Sequence, residues 1–205
     1  MDEQLYALGK HDASKAGVVL NEAFCDDPLW AALFAGETNA EEKRRAFFEA
    51  PVRYCLRYGN VVASSDRLEG IAAWVPGEYA EMTLWRMIRC GSLRTGMRMG
   101  ASVARKLGRV FEQPIRDRQE HMRDVPYAYL QVIGVSPAHQ GRGVGGRLLR
   151  HVIEDCDARN RALYLETETE SNVGFYERFG FRLLKRIVLP DVGLPLWEMA
   201  RTASR

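Results

Sequence analysis

A glycine-rich segment in the C-terminal half of the chain has the composition of an anion-binding loop. It combines four glycines with one arginine and leads into an amphipathic run that begins at Val144. Its residues are Gln140, Gly141, Arg142, Gly143, Val144, Gly145 and Gly146. Glycine lets a backbone approach a ligand closely, and the free N–H groups of a helix's first turn attract anions. The segment therefore predicts a phosphate or pyrophosphate site, to which Arg142 adds a charged contact.

Three other interpretations of this segment must be weighed. A P-loop would end in Gly-Lys-Ser/Thr, whereas Gly146 is followed by Arg147. The dinucleotide fingerprint GxGxxG is matched only loosely, and the repeated βαβ pattern that normally surrounds it is missing. A plain strand-to-helix turn also uses glycines, so the segment alone leaves that alternative open.

A second motif lies about 30 residues beyond the glycine segment. The glycine segment follows Val135-Ser136-Pro137, and the second motif consists of Asn172, Tyr176 and Gly180-Phe181. Together the two motifs resemble the GNAT superfamily of N-acetyltransferases, whose acetyl-CoA signature is matched by Gln140, Gly143 and Gly145. The stretch from about residue 120 to 200 is most similar to the puromycin-acetyltransferase-like branch.

The resemblance implies both a fold and a co-substrate. The expected fold is an α/β (α+β) GNAT fold, with a mixed, mostly antiparallel sheet that is splayed at its centre and flanked by helices. Residues 1–205 would form a single N-acetyltransferase domain with a helical insertion or lid at 78–118. Acetyl-CoA would be the co-substrate, and no metal is expected.

The resemblance also assigns roles to individual residues. The backbones of Ile133, Gly134 and Val135 would bind the pantetheine and the acetyl carbonyl, and residues 141–146 would hold the pyrophosphate. Asn172 would contact the pantetheine arm, and Tyr176 would protonate the departing thiolate. Asn172 and Tyr176 are four residues apart where many family members have seven, and both spacings keep the pair on one helix face. Beside Phe175 and Phe179, Tyr176 also fits a plain core position.

Glu166 is the predicted general base, because some relatives carry a catalytic glutamate on the strand before the asparagine. If the extended conformation continues, Glu166, Glu168 and Glu170 point to one side and would attract a cationic amine. A solvated strand end is the alternative for all three. His121 could reach the acceptor site, although an isolated histidine in a polar connector is more often a surface residue.

Hydrophobic periodicity predicts the elements that position these residues. The predicted helices cover residues 12–24, 41–58, 144–157 and 172–179, with two more between 78 and 110, separated near Gly91. The predicted strands cover residues 61–65, 68–75, 127–135, 163–167, 181–189 and 196–199. A polar connector through Arg123 precedes the strand at 127–135.

The composition limits the possible partners. The chain has 205 residues and a formal charge of +2, which argues against a protein built to coat DNA or anionic membranes. Residues 78–110 nevertheless hold seven basic residues against two acidic ones, a local +5 that leaves −3 for the remainder. We expect a solvated face there. A nucleic-acid or membrane patch, and contacts to the 3′-phosphate of CoA, remain alternatives.

The four cysteines are scattered without metal-ligand or disulfide spacing. They favour a reducing cytoplasm, and we identify neither a signal peptide nor a membrane span. The predicted function is direct transfer of the acetyl group of acetyl-CoA to a primary amine of a small molecule. A peptide or protein N-acetyltransferase and a non-catalytic acyl-CoA-binding regulatory module are the alternatives. The acceptor's identity and the formation of a homodimer stay open.

Overall fold

The computed structural model describes residues 4–204, which form a seven-stranded sheet covered by helices. The strands are β1 (Tyr6–Ala7), β2 (Asn60–Ala63), β3 (Gly70–Pro76), β4 (Tyr127–Val135), β5 (Ala162–Thr167), β6 (Arg182–Val188) and β7 (Pro195–Arg201). The N-terminal helices are α1 (Ala13–Ala23), α2 (Pro28–Phe34) and α3 (Ala40–Tyr58). The middle helices are α4 (Leu84–Arg89), α5 (Leu93–Met99), α6 (Ala101–Val110) and α7 (Glu112–His121). The last two are α8 (Val144–Ala158) and α9 (Glu170–Glu177).

The sheet has the order β1-β2-β3-β4-β5-β7-β6. Its neighbouring strands are antiparallel except for β4 and β5, which run parallel. This arrangement confirms the predicted mixed, mostly antiparallel fold.

The parallel pair separates soon after it forms. Residues 127–129 of β4 are in register with residues 162–164 of β5, and the pairing ends there. Immediately beyond, the register of β4 on β3 shifts: Trp74 lies opposite Leu130 and Ala73 opposite Val132, so Gln131 is an extra residue. Such a bulge bends its strand, and here the bend accompanies the opening between β4 and β5.

Both faces of the sheet are apolar because helices cover both. Along β3, Ile71 and Val75 point into a core shared with α1, α2 and α3, while Trp74 points into a second core under α8. This alternation follows from the two-residue period of a strand, and it explains why β3 reads as a continuous hydrophobic run. No helix in residues 4–204 is long and apolar enough to cross a bilayer.

The middle of the chain differs from the prediction. Residues 78–110 form three helices, with breaks at Gly91 and Gly100, where two were expected. The predicted polar connector contains helix α7, and the short helix α2 was not predicted. Hydrophobic periodicity does not predict helix α7, because two of its buried side chains, Asp117 and Arg118, are charged.

A compact group of charges joins α7 to the sheet. Glu198 lies directly opposite Glu166 on the neighbouring strand, and its side chain is fully buried. His121 Nε2 lies 3.3 Å from Glu198 Oε2, and Lys185 Nζ lies 2.8 Å from Asp117 Oδ2. Burial, together with the nearby carboxylates of Asp117 and Glu166, raises the pKa of Glu198 to about 8. The Glu198 carboxyl is therefore protonated at neutral pH.

We expect Glu198→Gln to stabilise the protein at alkaline pH. In the folded state Glu198 keeps its proton up to about pH 8, whereas in the unfolded chain it loses the proton near its ordinary pKa of 4.5. The free energy of unfolding therefore falls as the pH rises between these values. A glutamine removes this loss, so we expect a gain of at least about 1 kcal/mol at pH 8 that shrinks toward pH 5.

Urea unfolding at pH 5, 6.5 and 8 measures this effect. Glu154→Gln, on the exposed side of α8, is the matched control and should show no pH-dependent gain. Parallel stability curves for wild type and Glu198→Gln would contradict the proposed protonation of Glu198.

Candidate active site

The slot between β4 and β5 opens into a cavity of about 1030 Å³. Residues 130–133 of β4 and residues 165–168 from the end of β5 line the slot, and helices α5, α6 and α7 line the far wall. Because the slot passes through the sheet, side chains from both faces reach the same space. Tyr176 belongs to the core under α8, and Tyr129 packs against the opposite face, yet both line the cavity.

The glycine segment begins helix α8 with an open backbone. Gly141 and Gly143 have φ of 73° and 79°, a left-handed conformation that favours glycine. A Cβ atom at either position would meet nothing within 4 Å, so the space above these backbones is free for a ligand. Arg142, between them, is exposed. Gln140 is exposed as well, and its Nε2 donates to the carbonyl of Val135 at 3.0 Å.

The structure gives different settings to the three predicted β4 residues. Ile133 lines the cavity. Gly134 packs against α1, where a Cβ would lie 2.9 Å from Leu20 Cδ2, so a tight helix contact accounts for this glycine. Val135 is the last residue of β4, and its carbonyl accepts the bond from Gln140.

Asn172 and Tyr176 lie one turn apart on α9, and both line the cavity. Asn172 Nδ2 donates to Thr167 Oγ1 at 3.3 Å, which ties α9 to the end of β5. The ring of Tyr176 packs between Phe175 and Phe181 and is 7% exposed. Burial, followed by the nearby carboxyl of Glu168, raises the pKa of the Tyr176 phenol. The phenol therefore holds its proton at every physiological pH.

Glu166 is buried and already has two partners. Its Oε1 lies 3.3 Å from Arg118 Nη1, and its Oε2 accepts a hydrogen bond from the hydroxyl of Tyr129 at 2.6 Å. Arg118 also stacks over the Tyr129 ring, with 4.2 Å between Cζ and the ring centroid. The side chains of Arg118 and Glu166 are 4% and 7% exposed. A solvated strand end, the alternative considered above, does not describe this glutamate.

Glu168 is a cavity carboxyl without a side-chain partner among the described residues. Within residues 4–204 it forms no ion pair or side-chain hydrogen bond, and it lines the cavity together with Asp27. Burial, followed by the charge of Asp27, raises the pKa of Glu168 to about 8. The alternation of Glu168 with Glu166 could be seen in the sequence. The presence of Asp27 in the same cavity could not, because Asp27 caps α2 in a distant part of the chain.

Two other candidates lie elsewhere. The extended conformation ends at Thr167, so Glu170 begins α9 and faces solvent instead of joining the other two glutamates. His121, at the end of α7, is absent from the cavity wall and contacts Glu198.

The basic segment at 78–110 meets acidic residues of the remaining chain. Lys106 Nζ lies 2.9 Å from Glu37 Oε1, and Arg109 Nε lies 2.9 Å from Asp191 Oδ2. Arg98 lies 3.4 Å from Glu42. Part of the segregated charge thus joins the middle helices to α3 and to the C-terminal strands.

Comparisons with known proteins agree with this geometry. Residues 106–181 match the acetyltransferase (GNAT) family model. An uncharacterized N-acetyltransferase of Schizosaccharomyces pombe is 29% identical over 186 residues, which cover 87% of this chain and 74% of that protein. The N-alpha-acetyltransferase RimI of Mycobacterium tuberculosis is 41% identical over 63 residues, covering 29% of this chain and 39% of that protein.

The fold likeness extends over the whole chain. A crystal structure titled histone acetyltransferase HPA2 and related acetyltransferase, from Corynebacterium glutamicum, superimposes with a TM-score of 0.68 at 22% identity. The match covers 100% of this chain and 98% of that one. These matches show that the chain has the fold of the GNAT acetyltransferases, that its residues 106–181 match the model of that family, and that it is an acyltransferase.

Proposed function

We propose that the protein transfers the acetyl group of acetyl-CoA directly to a primary amine of a small molecule. The observation that carries this proposal is the continuity of the slot and the cavity. The slot receives a proton donor, Tyr176, and two carboxyls, Glu166 and Glu168. Because the chain is an acyltransferase, the non-catalytic acyl-CoA-binding module is set aside.

The residues around the slot fit acetyl-CoA as a substrate. The open backbones of Gly141 and Gly143, at the start of α8, suit the pyrophosphate, with Arg142 beside them. The backbone of β4 beyond Tyr129 has no strand partner on its β5 side, which leaves groups free to bind the pantetheine arm near Ile133. Asn172 stands across the slot as a further polar contact to that arm.

The chemistry requires a neutral amine, an oxyanion donor and a proton for sulfur. The amine nitrogen attacks the thioester carbonyl, the C–N bond forms, and the C–S bond breaks. The amine proton passes to a carboxylate, and the hydroxyl proton of Tyr176 passes to the thiolate. A backbone N–H of β4 in the slot stabilises the oxyanion.

We assign the base role to Glu168 in preference to the predicted Glu166. Both oxygens of Glu166 are engaged by Arg118 and Tyr129, so a proton transferred there would disrupt a buried ion pair. Glu168 has no such partner, and its pKa of about 8 suits a base that operates near neutrality. Glu166 then fixes Arg118 and Tyr129 in the wall of the cavity.

A small molecule suits the cavity better than a peptide, because the far wall offers mainly apolar side chains. The short match to RimI favours a peptide N-terminus as the second candidate acceptor. The cytoplasm is the proposed location, because all four cysteines are free thiols.

Tyr176→Phe should lower kcat by about 100-fold, because the thiolate loses its proton donor. The KM for acetyl-CoA should stay within about twofold of wild type, since the ring packing is kept. Tyr58→Phe, which is away from the cavity wall, is the control for loss of a tyrosine hydroxyl. An unchanged kcat would remove Tyr176 as the acid.

Glu168→Gln should abolish the acidic limb of the pH profile of kcat/KM. The carboxylate is the active form, so wild-type kcat/KM should rise with pH through about 8. We expect Glu168→Gln to lose this rise and about 100-fold in kcat. Glu170→Gln, at an exposed position two residues away, should keep both. If Glu166→Gln loses the limb and Glu168→Gln retains it, then Glu166 is the base.

Gly143→Ala should weaken acetyl-CoA binding and leave catalysis nearly intact. The new methyl group would occupy the open space above the loop, so we expect about a tenfold higher KM for acetyl-CoA. Gly36→Ala is a matched control, because Gly36 has φ of 73° and nothing within 4 Å of the added Cβ. Equal KM values in the two variants would argue against pyrophosphate binding at Gly143.

A further inference from the structure

We propose that the acceptor is an amphipathic amine with one cationic group and a large apolar body. Its ammonium group would lie between Asp27 and Glu168, and its body would lie against α5 and α6. This inference rests on the acetyl transfer proposed above and names the class of amine.

The end of the cavity that holds Asp27 and Glu168 is suited to binding one cation. Asp27 and Glu168 both line it, and the charge of Asp27 acts on Glu168. Among residues 4–204, the cavity wall has a single cationic side chain, Arg118, which is paired with Glu166. An incoming ammonium would therefore supply the positive charge that Asp27 and Glu168 lack. Its nitrogen would then lie near Tyr176, because the carboxyl of Glu168 also acts on the Tyr176 phenol.

The opposite wall calls for an apolar body. Every cavity-lining residue of α5 and α6 is uncharged. Two of them, Leu93 and Met97, are 46% and 66% exposed. Removing such apolar surface from water is favourable, so the apolar body of a ligand would be stabilised there. The volume of about 1030 Å³ holds the end of the pantetheine arm and leaves room for an acceptor larger than a short alkylamine.

The same wall disfavours two other kinds of amine. A polyamine would place its second ammonium against α5 and α6, where no carboxylate lines the cavity. Glu81 is the remaining acid on the wall, and its carboxylate already accepts a hydrogen bond from Gln119. A peptide would bury backbone N–H and C=O groups against side chains that cannot bond to them.

The test compares n-octylamine with 1,8-diaminooctane, which has the same length and a second ammonium. The wild-type enzyme and acetyl-CoA are used, and release of CoA is followed. We expect kcat/KM for octylamine to be at least about tenfold higher than for the diamine or for a tetrapeptide with a free N-terminus. Turnover that is equal, or faster with the diamine or the peptide, would overturn the inference and leave acetyl transfer standing.

Calorimetric binding of octylamine to the enzyme saturated with CoA gives a readout that does not need turnover. Binding of octylamine without acetylation of any amine would contradict the proposed transfer and support the site. Absence of octylamine binding would overturn the site.

Charged substitutions on α5 test where the apolar body of the acceptor lies. Met97→Glu should raise the ratio of diamine to octylamine kcat/KM by about tenfold, because it gives the second ammonium a partner. Met97→Lys should raise the KM for octylamine without changing that for acetyl-CoA. Trp85→Glu and Trp85→Lys are the controls, since Trp85 is equally exposed at 66% but is not on the cavity wall. Identical effects at positions 97 and 85 would overturn the placement.

Discussion

The separation of β4 from β5 creates the slot around which the candidate site is built. Three residue pairs hold the parallel strands together, and then the bulge at Gln131 bends β4 away. Beyond these pairs, the backbone N–H and C=O groups of β4 that would otherwise bond to β5 face the slot. A ligand or water must supply their hydrogen-bond partners. The slot also joins the two faces of the sheet, so Tyr176 from one core and Tyr129 from the other line one cavity.

Charge complements this opening. The buried carboxyls Glu166 and Glu198 lie side by side on neighbouring strands, and α7 brings Arg118 and His121 to them. Burial raises the pKa of Glu166 and the charge of Arg118 opposes that rise, while Glu198 keeps its proton. Glu168, just beyond the strand, has no ion pair with a cation of the described part of the chain. An acidic position without a partner, next to the reaction slot, is where an amine substrate can complete the electrostatics.

The two substrates are recognised by different kinds of sequence. The proposed acetyl-CoA site relies on backbone geometry, such as the left-handed glycines 141 and 143, and this requirement leaves a motif. The proposed acceptor site is lined by α5 and α6, whose apolar side chains reach the cavity through tertiary packing. Any apolar residue of suitable size serves there, so no motif is left to find.

Local sequence patterns were enough to predict the strand at 127–135, the helix after the glycine segment, and the positions of Asn172 and Tyr176 on one helix face. These features depend on hydrophobic period, glycine conformation and helix spacing, which are all local. The surroundings of each carboxyl depend instead on packing between distant parts of the chain. Glu166 is paired because α7 delivers Arg118 from 48 residues away. Glu168 and Asp27 line the same cavity although they lie 141 residues apart in the chain. Burial and long-range pairing set a group's charge, and neither follows from the residues next to it in the chain.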